Sequence, residues 1–319
     1  MDSYSTIFFV NGSSLGGGEV DSIIRASLMR GAISPLDDLA PSVVEFAKAM
    51  NVKIVGADSL PAYINGRNIT VVLNGFLRDL TLFTKLLRWK LFGGRRLKIV
   101  LAVHSDPAGG LRRPSFKVRL ALFLYEIFGR TLADRIRFMS ERQLRTFPML
   151  ARSAAAYIDP PTSRITRGCC GLAITPSVSE RKIDFLFIGR LSSSSFLGDA
   201  KNSDFIRDFS DYVEANGGNL TIIGGGSRTE VLNHLGCNLR TDLFSPRIDV
   251  TEVYRNAKVL LVPSLHEGYC LVVREAVLLG CHVLTTSAVA PELQTLANVT
   301  LLDSFDPEEW YLAARAVEA

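Results

Sequence analysis

No apolar run in the 319-residue chain approaches the roughly 18 residues that a membrane-crossing helix needs. The start, Met1-Asp2-Ser3-Tyr4, lacks the basic region of a secretory signal. Together these absences make the cytoplasm the expected compartment. The five cysteines, Cys169, Cys170, Cys237, Cys270 and Cys281, contain no C-x-x-C pair, and their odd number excludes a fully paired disulfide framework. Reduced thiols fit best. The four histidines, His104, His234, His266 and His282, are scattered without metal-ligand spacing, so no protein-bound metal is expected. Repeats of about 20 to 50 residues are missing, and low-complexity sequence is confined to Ser192–Ser195, which reads as a loop.

What is present points to a folded α/β chain. With 47% hydrophobic and 21% charged residues, disorder is excluded, and the length favours two cores over one. The net charge of +4 hides an asymmetry. Residues 1–170 hold 24 Lys and Arg against 13 Asp and Glu, hence +11, and the remainder holds 12 against 19, hence −7. A basic first half suits an anionic partner such as a phospholipid surface or a lipid phosphate, or is an unevenly solvated surface. No recognised nucleic-acid-binding module accompanies the charge, so nucleic acid is not an expected partner.

Strand-length apolar runs alternate with segments of helical spacing. Thr6–Val10 runs into the glycine-rich stretch Gly12–Gly18 and then into Glu19–Arg30 with helical periodicity. Val52–Val55, Ile69–Leu73, Leu97–Val103 and Arg135–Met139 are further strand candidates, and such alternation predicts a parallel sheet with right-handed crossovers. Around Asp159-Pro160-Pro161-Thr162 the pattern breaks. A second alternating series follows, with strands at Ile183–Ile188, Leu220–Ile223, Val259–Val262 and His282–Thr285. The expected organisation is a domain over residues 1–165, a linker over 166–180 and a second domain over 181–319.

The densest chemical signal is Pro263-Ser264-Leu265-His266-Glu267-Gly268-Tyr269-Cys270-Leu271-Val272-Val273-Arg274-Glu275-Ala276, directly after a buried strand. This order puts the loop at the carboxyl end of the sheet, where open α/β folds bind ligands. A helix starting near Gly268 would aim the N–H groups of Tyr269, Cys270 and Leu271 at an anion such as a diphosphate. Glu267 and Glu275 lie eight apart, which on a helix is one face, and carboxylates accept hydrogen bonds from hydroxyls. Phosphate between two hydroxyl-bearing ends is the layout of a sugar nucleotide.

The run E-G-Y-C-L-V-V-R-E resembles the E-x7-E signature of retaining family-four glycosyltransferases of the GT-B type. The resemblance covers about residues 183–315: Phe187-Ile188-Gly189-Arg190 is similar to the family's strand-end G-R, Leu220–Gly226 to its V-G-x-G strand, and Ala290-Pro291-Glu292-Leu293 to its I-P-E-x element. It implies two Rossmann-like domains facing each other across a cleft, and transfer of a hexosyl group from a nucleoside-diphosphate sugar with retention of configuration. No cofactor is needed, because the nucleotide sugar is a substrate. The acceptor would be a glycan or a lipid-linked hydroxyl. On this resemblance Glu275 binds the ribose hydroxyls, Glu267 lies by the donor sugar and Arg190 contacts the diphosphate. The family's lysine in a K-G context is displaced here, with Ser192–Gly198 intervening and Lys201 the nearest candidate. Cys270 stands where a glycine is usual, and His282 where a proline is frequent. Relatives continue past the final helix-like segment Pro307–Ala316, so a short or truncated form is expected.

In the first half, Leu15-Gly16-Gly17-Gly18-Glu19 resembles the family's G-G-x-E loop, making Gly17 and Gly18 candidates for close approach to the donor phosphate and the acceptor. His104, in Val103-His104-Ser105-Asp106, corresponds to a histidine that related enzymes place by the donor sugar. The segment Arg78–Lys98 is amphipathic and basic, which suits either an anionic membrane surface or a Rossmann helix packed on its sheet. A dehydrogenase is disfavoured because Gly12–Gly18 does not spell G-x-G-x-x-G. The alternative to an enzyme is a GT-B-like protein that binds a nucleotide or glycan without turnover.

Overall fold

The computed structural model describes residues 5–10, 17–36, 38–56, 59, 68–74, 84, 86–90, 97–104, 116–163, 165, 177–189, 200–224 and 250–317. The chain divides into two compact units, Met1–Thr162 and Ser163–Ala319. The division precedes the expected linker, of which 166–176 lie outside the described residues; Val178–Glu180 forms one 3-10 turn closed by a capping box between Ser177 and Glu180.

The first unit is built on seven strands among the described residues: β1 (Ser5–Val10), β2 (Ala32–Pro35), β3 (Lys53–Ile54), β4 (Ile69–Asn74), β5 (Leu97–Val103), β6 (Arg135–Phe138) and β7 (Ala156–Ile158). They form one sheet in the order β3-β2-β1-β4-β5-β6-β7, with every pairing parallel. β1 is buried throughout Thr6–Val10, because helices cover both faces of such a sheet and its central strands need no alternation. Ile7, Phe9, Val71, Leu73, Ile99, Leu101, Ile136 and Phe138 meet in one core. Leu86 is fully buried in it, and Leu87 and Trp89 pack against it. Within the described part of Arg78–Lys98, then, the apolar side chains face the sheet.

The second unit holds β8 (Ile183–Ile188), β9 (Leu220–Ile223), β10 (Ala257–Val262), β11 (His282–Thr285) and β12 (Val299–Leu301) in the order β12-β11-β10-β8-β9, again all parallel. Three strands escaped the sequence reading. β2 is four residues ending on Pro35, and β7 and β12 are three residues each, too short to show a period. The helix Pro307–Ala316 begins with Asp306 accepting from the Glu308 N–H and with Pro307 in its first turn, where a missing N–H costs nothing. Its Trp310 is fully buried, lies 4.8 Å from the Phe205 ring and donates from Nε1 to the Ser304 carbonyl. Phe205 sits on the helix Ser203–Ala215, whose Phe209 meets Phe185 of β8 edge-on. Trp310 thus anchors the C-terminal helix to the sheet. Trp310→Ala is expected to cost the second unit about 3 to 5 kcal/mol in urea unfolding; a loss below about 1 kcal/mol would show that this anchor is dispensable.

Candidate functional site

In the second unit the strand order reverses between β8 and β10, and their carboxyl ends carry the predicted residues. β8 runs into Gly189. A Cβ built on Gly224, just past β9, would lie 2.5 Å from the Gly189 carbonyl oxygen, so the two strand ends approach as only glycine permits. β10 runs into Pro263–Cys270 and then the helix Leu271–Leu278. Here Ser264 Oγ donates to Glu267 Oε1 at 2.7 Å, and Lys201 Nζ pairs with the same oxygen. Burial opposes charge on Glu267, but Lys201, Ser264 and His266 outweigh it and hold the carboxyl below the ordinary range. The Glu267 and Lys201 side chains keep 14% and 24% of their surface exposed, enough for a ligand to reach both. Lys201 also lies over Gly189: a Cβ there would come 3.6 Å from its Cε. The displaced lysine of the sequence therefore reaches the strand end in space. Arg190 lies outside the described residues.

The helix starts at Leu271, three residues later than Gly268, because Cys270 takes a left-handed conformation (φ 79°) and breaks the helical path. Glu267 consequently sits in the loop, and the first-turn N–H groups begin at Leu271 instead of at Tyr269. Tyr269 and Cys270 are buried beside this turn. Burial and the neighbouring Glu267 push the Cys270 thiol up, so it is protonated at neutral pH. Glu275, fifth in the helix and 1% exposed, accepts from Ser163 Oγ on Oε1 at 2.9 Å and from the Tyr254 hydroxyl on Oε2 at 3.2 Å. Neither donor was foreseen, and both lie far from Glu275 in sequence.

The first unit has its own reversal, between β1 and β4. Gly17 and Gly18 open the helix Gly17–Leu28, while Gly16 and the rest of Gly12–Gly16 lie outside the described residues. His104 follows β5 directly, and its ring lies against Gly18. Its Nε2 is 3.0 Å from Asn74 Oδ1 at the end of β4 and 3.6 Å from Asp21 Oδ2. Asp21 is the centre of a buried ion cluster that sequence reasoning missed. Its Oδ2 accepts from Arg137 Nη1 at 2.8 Å, and its Oδ1 from Arg25 Nε at 2.8 Å and from the Thr162 N–H at 2.6 Å. Arg137 and Arg25 also donate to the Pro160 carbonyl. The cluster thereby fastens the chain's exit from this unit to the glycine-bearing helix. Among the described residues no group of three His, Cys, Asp or Glu side chains is placed to hold a metal, and no helix is long and apolar enough to cross a membrane.

This cluster makes the unit acid-sensitive in a defined window. Desolvation is the largest influence on His104; with Arg137 and Arg25 it outweighs Asp21 and lowers the imidazole from 6.5 to about 4. Asp21 is lowered from 3.8 to about 2, burial being outweighed by His104, Arg137 and Arg25. The unfolded chain therefore binds the histidine proton more tightly, and stability is lost as pH falls from 6.5 to 4, by up to about 3 kcal/mol. Asp21 adds a further loss from 3.8 towards 2. In urea unfolding at a series of pH values, His104→Gln is expected to abolish the decline between 6.5 and 4 and to shrink that below 3.8, because it also removes the largest influence that lowers Asp21. A wild-type profile flat from pH 6.5 to 4 would contradict the assignment.

Residues 182–317 match the family model of Glycosyl transferases group 1. No sequence among curated proteins matches this chain. Solved structures match over nearly its whole length at low identity. HepE from Anabaena in complex with UDP-glucose is 13% identical at a TM-score of 0.70, over 98% of this chain and 89% of that one. Sucrose-phosphate synthase from Thermosynechococcus elongatus is 12% identical at 0.67, over 99% and 90%. The lipopolysaccharide outer core galactosyltransferase WaaB is 15% identical at 0.59, over 98% and 90%. The chain has the fold of GT-B glycosyltransferases, two Rossmann-like domains, and its second domain carries the Glycosyl transferases group 1 match.

Proposed function

We propose that the protein is a retaining glycosyltransferase that moves a hexosyl group from a nucleoside-diphosphate sugar to an acceptor hydroxyl. The observation that carries this reading is the Ser264–Glu267–Lys201 arrangement at the carboxyl ends of β8 and β10, inside the stretch that matches Glycosyl transferases group 1. Lys201 and the first-turn N–H groups from Leu271 onward would face the diphosphate, and by the family resemblance Arg190 would contact it as a planar donor. Glu267 would take sugar hydroxyls. Glu275 would bind the ribose hydroxyls, from the helix position at which Ser163 and Tyr254 donate to its two oxygens.

In this reading the bond from the anomeric carbon to the donor phosphate oxygen breaks as the acceptor oxygen attacks on the same face. The acceptor's proton passes to the departing phosphate oxygen. No carboxylate nucleophile and no cofactor takes part; the protein positions the reactants and stabilises the charge on the leaving diphosphate. Because HepE was solved with UDP-glucose, uridine nucleotides are the first donors to test. A glycan or lipid-linked acceptor near an anionic membrane agrees with the charge of +11 over residues 1–170. It also agrees with Leu120, Phe123 and Leu124, which lie exposed on one face of the helix Phe116–Leu132.

A thermal-shift series with UDP, GDP, ADP, TDP, CMP and their sugar conjugates tests the donor site. Ligand at 100 times its Kd stabilises by about 2.7 kcal/mol, so one nucleotide should raise the wild-type melting temperature and fail to do so in Glu275→Ala. No rise with any of them would sink the reading. With the donor known, Arg190→Ala should lower turnover at saturating donor by at least about 100-fold with little change in melting temperature; near-normal turnover would remove Arg190 from the machinery.

A further inference from the structure

We infer that Asn74 is a positioning residue that fixes the neutral imidazole of His104 with its proton on Nε2, so that Nδ1 is left as a hydrogen-bond acceptor. Two oxygens confront Nε2, Asn74 Oδ1 at 3.0 Å and Asp21 Oδ2 at 3.6 Å, and both can only accept from it. A chain of donors sets the amide's orientation. Ser22 Oγ gives its single proton to the Gly18 carbonyl at 2.6 Å, so it must accept from Asn74 Nδ2, and Asn74 is left to present Oδ1 to the ring. The chain begins in the first turns of the helix Gly17–Leu28, so the position of Gly18 and the tautomer of His104 are set by the same backbone.

Gly18 lies against the face of the ring: a Cβ there would come 3.5 Å from Nδ1, 3.6 Å from Cγ and 3.8 Å from the His104 Cβ, in ordinary contact. The His104 side chain keeps 13% of its surface exposed. A neutral acceptor in this place repels a phosphate oxygen and takes a proton donor, so the ligand group it fits is a hydroxyl. The charged groups around the ring are Asp21 and Arg25 from the glycine-bearing helix and Arg137 from β6. Burial, with Arg137 and Arg25, outweighs Asp21 and leaves the imidazole uncharged through the physiological range. On the glycosyltransferase reading the hydroxyl is one carried by a sugar; the tautomer itself does not depend on that reading.

The test is long-range 1H–15N correlation on the full chain labelled at histidine nitrogen, with the His104 signals assigned by their loss in His104→Gln. The expected wild-type spectrum shows a protonated Nε2 and an unprotonated Nδ1, unchanged from pH 8 to pH 5. Asn74→Asp, nearly isosteric, adds an anion against Nε2 and should raise the His104 titration by at least one pH unit, keeping the same tautomer. Asn74→Ala should mix the two tautomers. A wild-type proton on Nδ1, or Asn74 variants whose tautomer and titration both match wild type, would overturn the inference. If the tautomer is as described and no nucleotide sugar binds, the positioning role stands and the transferase reading falls. If a donor turns over while Nδ1 carries the proton, the reverse holds.

Discussion

Glu267 keeps a negative charge where burial opposes it, and the second unit's site depends on how that charge is held. An isolated buried carboxylate costs several kcal/mol and would neutralise itself by binding a proton. Ser264 and Lys201 prevent this, and between them they bring together the loop after β10 and the chain leading into the helix Ser203–Ala215. The close approach of Gly224 to the Gly189 carbonyl gives Lys201 the strand end against which its stem lies. An anionic ligand arriving there meets a cation already oriented, while a hydroxyl meets a carboxylate already ionised.

The two units share one plan and use it with different chemistry. Each is a parallel sheet whose strand order reverses once, and in each the polar groups gather at the carboxyl ends beside that reversal. In the second unit the groups are charged and partly exposed, as suits phosphate and hydroxyls. In the first, the buried charges of Asp21 and Arg137, with the partly exposed Arg25, hold the segment Asp159–Thr162, and the His104 beside them is uncharged. Tight backbone approach at Gly224 serves the second arrangement, and the contact of Gly18 with the His104 ring serves the first.

Much of the scaffold was legible in the sequence. β5, β8, β9 and β11 were read to the residue, because buried parallel strands are near-continuous apolar runs and the chain around them is not. The loop Pro263–Cys270 stood out for the same reason. The helix start did not, since the left-handed turn at Cys270 is a residue type that gives no such warning. The partners of the candidate residues were hidden more deeply. Asn74 meets Ser22 across 52 positions, Arg137 meets Asp21 across 116, and Ser163 meets Glu275 across 112. Such pairings follow from the assembled fold, and no local spacing announces them. Lys201 was a doubtful match by spacing, and its placement against Gly189 and Glu267 follows from the fold.

The most direct test of the central claim is turnover by a variant that lacks the Lys201 charge. Release of nucleoside diphosphate is followed with a panel of nucleoside-diphosphate sugars at saturating concentration, for wild type and for Lys201→Met. The account predicts release from one donor by the wild type, and a loss of at least about 100-fold in the variant with measurable nucleotide binding retained. Undiminished turnover by Lys201→Met, or no release from any donor by a folded wild type, would contradict it.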